Sequence, residues 1–175
     1  MLASVDGVPL AVRSARSLLA GTGDALAVVR EGDEVLARLL REAGCEVLAS
    51  DACARGMGAS LAAGVKASRS AGGWLVALGD MPGIAPATHA AVRRALDEGA
   101  LLCSAVDAAT GLRGHPVAFG GALGDELAQL DGDEGARGLL ARHAERLVAV
   151  PVADPGIFRD IDTPGDLRGA ASKAG

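Results

Sequence analysis

Residues 74–86, WLVALGDMPGIAP, pass from five apolar residues into a glycine, an aspartate and a proline-rich turn. A short apolar run bounded by turn formers reads as a buried strand, here residues 74–78. Pro86 suits the first turn of a helix and predicts one over residues 87–98. Asp80 is then the first charge to emerge at the carboxyl end of a strand, which is where open α/β sheets bind ligands. The same residues also read as an ordinary turn, since Gly-Asp beside proline is common turn chemistry.

Helix and strand signals alternate outward from this stretch. Residues 9–20 read as a helix with Val12, Ala15 and Leu19 on one face, and 26–29 as a strand after the turn GTGD. Residues 33–43 form a second helical pattern, with Val35, Leu36, Leu39 and Leu40 inward and Gly44 as its stop. A strand is expected over 45–49, a helix over 57–70, and strands over 101–106 and 115–119. Helices at 122–129 and 134–143, a strand at 147–152 and a last helix from Pro164 complete the reading. This alternation predicts an α/β fold with a sheet covered on both faces. With no internal repeat and no low-complexity linker, residues 1–175 read as one domain.

Composition excludes several classes. The chain carries 17 basic and 22 acidic residues, interspersed, for a net charge of -5, so it has no basic stripe for a nucleic-acid backbone. Aromatic residues make up 2% and Tyr is absent, which leaves few platforms for stacking bases. Apolar stretches fall well below the roughly 18–20 residues of a membrane helix, and the N-terminus has no basic segment leading into an apolar core. Neither a nucleic-acid nor a membrane partner is expected. Cys45, Cys53 and Cys103 are odd in number and lack metal-like spacing, which suits reduced thiols in a cytoplasm.

Motifs are informative first by absence. There is no Walker-type phosphate loop, no G-x-G-x-x-G after a strand and no G-x-S-x-G elbow. His89, His115 and His143 have no zinc-ligand spacing. Four segments remain. RGMGASLAAGV (55–65) sets Gly56, Gly58 and Ser60 at a helix entry, where free N–H groups and the dipole favour an anion; it also reads as a plain glycine-rich entry. LGDMP (78–82) supplies Asp80, and GLRGHPVAF (111–119) supplies Arg113 and His115, both able to reach a phosphate. FRDIDTPGDL (158–167) puts Asp160 and Asp162 on one side of an extended segment before a Thr163 N-cap; the two aspartates also suit plain capping and turn roles. A strand-end carboxylate and another from a distant segment can hold one Mg²⁺ against a triphosphate, because that ion takes few protein oxygens and leaves the rest to phosphate and water.

Taken in order, GMGASL (56–61), LGDMP (78–82), RGHPVAF (113–119), GDEGARGLL (132–140) and DIDTPGDL (160–167) resemble the molybdenum cofactor cytidylyltransferase family, the MocA-type branch of MobA-like nucleotidyltransferases. VDGVPL (5–10) resembles the segment leading into that family's first helix. The resemblance covers nearly the whole chain. It implies a Rossmann-like nucleotidyltransferase fold, a three-layer α/β/α sandwich with a mostly parallel central sheet. It further implies Mg²⁺-dependent transfer of CMP from CTP to the terminal phosphate of molybdopterin, releasing pyrophosphate, and a molybdoenzyme of xanthine dehydrogenase type as a partner.

Carried across by motif, Asp80 would be the main Mg²⁺ ligand and catalytic residue, Asp162 the second, and Asp160 its competitor. Gly58, Ser60 and Leu61 match the stretch lining the nucleotide-base pocket, and Gly79 lies beside the metal ligand. Gly114, His115 and Pro116 would face the cofactor or the phosphates, and 132–140 would be structural or lie on the cofactor side.

One departure stands out. The family opens with a strand and a glycine-rich L-A-A-G-x-x-x-R-x-G loop that holds the triphosphate, followed by a lysine, and Met1 stands at or just past that lysine's place. First strand and phosphate loop are therefore missing from the expected fold, neighbouring strands should expose their edges, and low turnover is expected of the chain as it stands. This keeps a second reading in view: a non-catalytic molybdopterin-binding or molybdoenzyme-maturation module. A related enzyme using GTP or another acceptor is a third.

Overall fold

The computed structural model describes residues 4, 5 and 7–161. VDGVPL folds as a small hairpin of β1 (Ser4–Val5) and β2 (Val8–Pro9), turning through Gly7 at φ +77. Pro9 then stands at the N-cap of α1 (Leu10–Thr22), which ends on a left-handed Gly23 whose N–H reaches the Leu19 carbonyl. β3 (Leu26–Arg30) leads to α2 (Glu34–Glu42), where the Asp33 carboxylate accepts the Leu36 N–H, and to β4 (Glu46–Ser50). α3 (Met57–Ala67), β5 (Gly73–Val76) and α4 (Pro86–Asp97) follow, with Pro86 in the first turn as expected. β6 (Leu102–Asp107), β7 (Arg113–Gly120), α5 (Gly124–Leu127), α6 (Arg137–Arg142) and β8 (Leu147–Val152) complete the described chain.

The corrections to the expected elements are local. The strand at 74–78 stops at Val76 because Leu78, Gly79 and Asp80 turn out of the sheet. The helix expected over 122–129 is a 3₁₀ turn, Gly121–Leu123, followed by the single turn of α5. The helix expected from 134 begins at Arg137, because Gly132 and Gly135 adopt φ +67 and +57, values a helix cannot use. The helix expected from Pro164 lies outside the described residues.

β3 and β4 pair in parallel, and a second sheet runs in the order β5-β7-β6-β8. The short connection from β6 to β7 permits only an antiparallel hairpin, whereas the return through α5 and α6 brings β8 parallel to β6. β7 is thus antiparallel to both neighbours, and the expected parallel pairing holds for β3 with β4 and β6 with β8.

Side-chain alternation along the strands builds three layers. Leu102, Val117 and Phe119 enter one core with Val65 of α3, Leu127 and Leu139, while Cys103, Ala105 and Ala118 enter the opposite core with Val92 of α4 and Ile157. In the smaller sheet Val29 packs with Val12, Ala37 and Leu40 of α1 and α2, and Val28 meets α3 at Gly64. α1 packs on α4, so both sheets lie between the same two helical layers.

Among the described residues no ladder joins β3 and β4 to β5. β5 is only half-buried along its length, and of β3 only Val29 is fully buried, although β6 is buried over its first five residues. Among the described residues β3 and β5 each carry an edge with no paired strand. Among the described residues no helix is long and apolar enough to cross a membrane. All three cysteines are unpaired, and burial pushes the Cys103 thiol up to about 11, away from nucleophilic use.

Candidate functional site

The antiparallel register of β5 and β7 places the site. Val76 opposite Val117 is the last pair; beyond it the chain leaves β5 in the loop that carries Asp80, while Arg113–Pro116 extend β7 past the end of β5. The carboxyl end of one strand and the amino end of the other therefore meet. A cavity of about 220 Å³ lies there, lined by Leu78, Asp80, Met81, Arg113, Gly114, His115, Ile157, Phe158 and Asp160. Met81 and Ile157 form a dry floor, 4% and 0% exposed, and the charged groups stand around it.

Two polar atoms in this wall have no hydrogen-bond partner among the described residues: Oδ1 of Asp80 and Nδ1 of His115. Buried polar atoms are nearly always satisfied, so two orphans on residues that line one cavity make it the candidate ligand site. Burial lowers the His115 pKa, Asp80 and Asp160 pull it back up, and Arg113 pushes it further down. The net direction keeps the imidazole neutral at pH 7, a hydrogen-bonding group rather than a cation.

The loop carrying Asp80 is held from below, since the Ser14 hydroxyl of α1 donates to the Gly79 carbonyl at 3.0 Å. The segment carrying Asp160 is held from above. Ile157 packs directly against Gly114, where a Cβ would come within 2.7 Å of its Cγ1, and the Ile161 N–H donates to the Asp80 carbonyl at 2.9 Å.

The structure thus brings together Asp80, Asp160, Gly114 and His115, with Arg113 and Phe158 beside them. Gly79 is exposed next to Asp80 but does not line the cavity, and Pro116 is fully buried behind His115. Asp162 lies outside the described residues. Gly58, Ser60 and Leu61 do not line this cavity. The Gly58 N–H is taken by the Gly132 carbonyl at 2.8 Å, and a Cβ there would lie 2.7 Å from the Asp131 carbonyl oxygen. Ser60 donates its hydroxyl to the Gly56 carbonyl at 2.9 Å, and Leu61 packs on the core around Phe119. The 132–140 stretch closes against the start of α3, with Met57 against Gly135.

Sequence reasoning passed over Phe158 and Asp154. Phe158 is 44% exposed in a chain with few aromatic residues, which is a signal visible only once its surroundings are known. Asp154 stands in a plain Asp-Pro-Gly turn, yet it accepts hydrogen bonds from Ala85 and Thr88, far away in the sequence.

A group of this kind, a carboxylate just beyond a strand end sharing a ligand-sized cavity with a second one, fits metal-assisted phosphate chemistry. The family model of the MobA-like NTP transferase domain matches residues 1–147. The chain belongs to the MobA-like NTP transferase domain family. Its fold is that of Rossmann-like nucleotidyltransferases. It is similar to a nucleotidyl transferase from Methanothermobacter thermautotroptrophicus, with a TM-score of 0.79, 21% identity, and coverage of 98% of this chain and 82% of that one. It is similar to Rv0371c in complex with manganese from Mycobacterium tuberculosis H37Rv, with a TM-score of 0.75, 22% identity and coverage of 98% and 90%. It is also similar to 4-diphosphocytidyl-2C-methyl-D-erythritol synthase from Anaerococcus prevotii DSM 20548, with a TM-score of 0.76, 14% identity and coverage of 97% and 87%. At these identities the likeness is one of fold. No curated protein matches the chain.

Proposed function

We propose that this MobA-like domain transfers CMP from CTP to the terminal phosphate of molybdopterin and releases pyrophosphate, with Mg²⁺ held at Asp80. The observation that carries this reading is the unpartnered, buried Oδ1 of Asp80 at the carboxyl end of β5, in a cavity shared with Asp160. Among the described residues no three His, Cys, Asp or Glu side chains group to hold a metal by themselves. Two carboxylates nonetheless fit Mg²⁺, which keeps several waters and substrate phosphates as ligands. Asp162 would join them by its motif.

Bound there, Mg²⁺ would neutralise charge on the nucleotide phosphates and ease the departure of pyrophosphate. The residues of the chain do the rest. An oxygen of the acceptor phosphate attacks the α-phosphorus, a new P–O bond forms, and the bridging bond to the β-phosphate breaks with its electrons leaving on pyrophosphate. A phosphate monoester with a second pKa of about 6 is already ionised at neutral pH, so no side chain has to remove a proton. Arg113 orients that anion, and neutral His115 offers it a hydrogen bond. Catalysis then rests on positioning and charge neutralisation. Two fold relatives, one a manganese complex and one a diphosphocytidyl synthase, support a divalent metal and a cytidine nucleotide. The choice of CTP over GTP, and a xanthine dehydrogenase-type recipient, follow from the motif resemblance.

A specific observation favours the second reading, a molybdopterin-binding or maturation module. Among the described residues that line the cavity Arg113 is the one cation, too few positive charges to cradle a triphosphate. Incubation with CTP labelled at the α-phosphate, Mg²⁺ and molybdopterin tests the two. Labelled cytidylylated product with matching pyrophosphate supports transfer, whereas molybdopterin binding without product supports the module.

A further inference from the structure

The Asp154 carboxylate joins two segments that both reach the cavity. Its Oδ2 accepts the Ala85 N–H at 2.8 Å and the Thr88 hydroxyl at 2.6 Å, and its Oδ1 accepts the Gly156 N–H at 2.9 Å. Ala85 is the N-cap of α4 and offers no side-chain cap of its own, so Asp154 caps that helix from a distant part of the chain. The loop that ends at Ala85 is the one that begins with Asp80.

On the other side, Asp154 opens the 3₁₀ turn Pro155–Phe158, which leads straight to Asp160. Gly156 is pressed against the backbone of Gly83, where no Cβ would fit, and Ile157 is fully buried. The Ile161 N–H then returns to the Asp80 carbonyl. The two segments are therefore tied at both ends, by Asp154 to Ala85 and Thr88 and by Ile161 to Asp80, with Asp160 between the ties.

We infer that Asp154 is a positioning residue: its three hydrogen bonds set Asp160 against Asp80 so that both carboxylates can serve one metal-bound phosphate ligand. This rests on the metal reading of the cavity given above. Asp154 touches no ligand itself and acts through the segment it holds. The distance between two carboxylates on separate loops is otherwise set by few contacts, and a shift of about 1 Å is enough to spoil such a site.

The test compares Thr88→Val, which removes one donor at nearly constant shape, with Thr88→Ser, which restores the hydroxyl, and with Asp154→Ala; Asp80→Asn is the control. Mn²⁺ binding in the presence of CTP is read from the free-ion electron paramagnetic resonance signal, and exchange of the Ile161 amide is read by NMR. Thr88→Val is expected to weaken Mn²⁺ binding about tenfold and to speed Ile161 exchange about as much, the size of one lost hydrogen bond to a charged group, and Asp154→Ala, which removes three, to do both by more. Thr88→Ser is expected to match the wild type in both, which a general loss of stability would not produce. Wild-type Mn²⁺ affinity in Thr88→Val and Asp154→Ala overturns the proposal, whatever the exchange rate. If wild type and Asp80→Asn take up Mn²⁺ equally, the metal reading falls instead. Ile161 exchange then decides the placement alone: faster in Thr88→Val and restored in Thr88→Ser upholds it, and no change overturns it.

Discussion

Ile161 donates its backbone N–H to the Asp80 carbonyl oxygen at 2.9 Å, which binds the turn after β5 to the segment that closes over it. The two aspartates lining the cavity come from these two pieces of chain. Their separation depends on how closely the later segment sits on β7, and that contact is made by glycine.

Gly114→Ala should disturb it. An added Cβ would meet the Ile157 carbonyl and lie 2.7 Å from its Cγ1 and 2.8 Å from its Cβ, and Ile157 is 0% exposed with nowhere to retreat. Overpacking of this kind costs about 1–3 kcal/mol. Urea denaturation of the variant should show that loss. A change within about 0.5 kcal/mol, the scatter of ordinary surface substitutions, would mean that the 155–161 segment is free to move away.

His89 should make the fold acid-sensitive in a defined window. It is 2% exposed on α4, its Nδ1 has no partner among the described residues, and burial pushes its pKa down to about 4 against a weaker opposing pull from Asp154. The unfolded chain binds the proton near pH 6.5 and the folded chain only near 4, so stability present above pH 6.5 is lost as pH falls toward 4. The full effect is about 3 kcal/mol. Denaturation of wild type and His89→Gln at pH 7 and 4.5 checks this: the wild type should lose most of that amount and the variant far less. Equal losses in the two would assign the effect to other groups.

The division of the sheet should be visible in amide exchange. Among the described residues β3 and β5 each have an edge with no paired strand and are half-buried over most of their length, whereas β6 and β7 pair on both sides and carry the buried core. Amides of β3 and β5 should therefore exchange through local openings well below the global unfolding free energy, and those of β6 near it. Uniform protection across all four strands would show that the two sheets open only together.

Some of this was legible in the sequence and some was not. The apolar run before Gly79 and the proline after it mark a strand, a turn and a helix, and so put Asp80 at a strand end. The run at His115–Phe119 marks a strand too, but its direction depends on the tight return from β6, and only the shared cavity shows that Arg113 and His115 are grouped with Asp80. Gly58 and Ser60 read as an entry open to a ligand; their partners, Gly132 and Gly56, include one from a loop far along the chain. Asp154 was opaque for the same reason, since Asp-Pro-Gly is a sufficient local turn and says nothing of Thr88. The helix expected from 134 starts late because left-handed Gly132 and Gly135 break a periodicity that alone suggests continuity.

The most direct test of the central claim is calorimetric titration of the full chain with CTP, with and without Mg²⁺, for wild type and Asp80→Asn. If the orphaned Asp80 oxygen holds the nucleotide's metal, wild type binds Mg²⁺-CTP, and either removing Mg²⁺ or substituting Asp80 weakens binding by about tenfold or more, the scale of one lost charge-assisted contact. Wild-type affinity retained in Asp80→Asn, or binding indifferent to Mg²⁺, would contradict it.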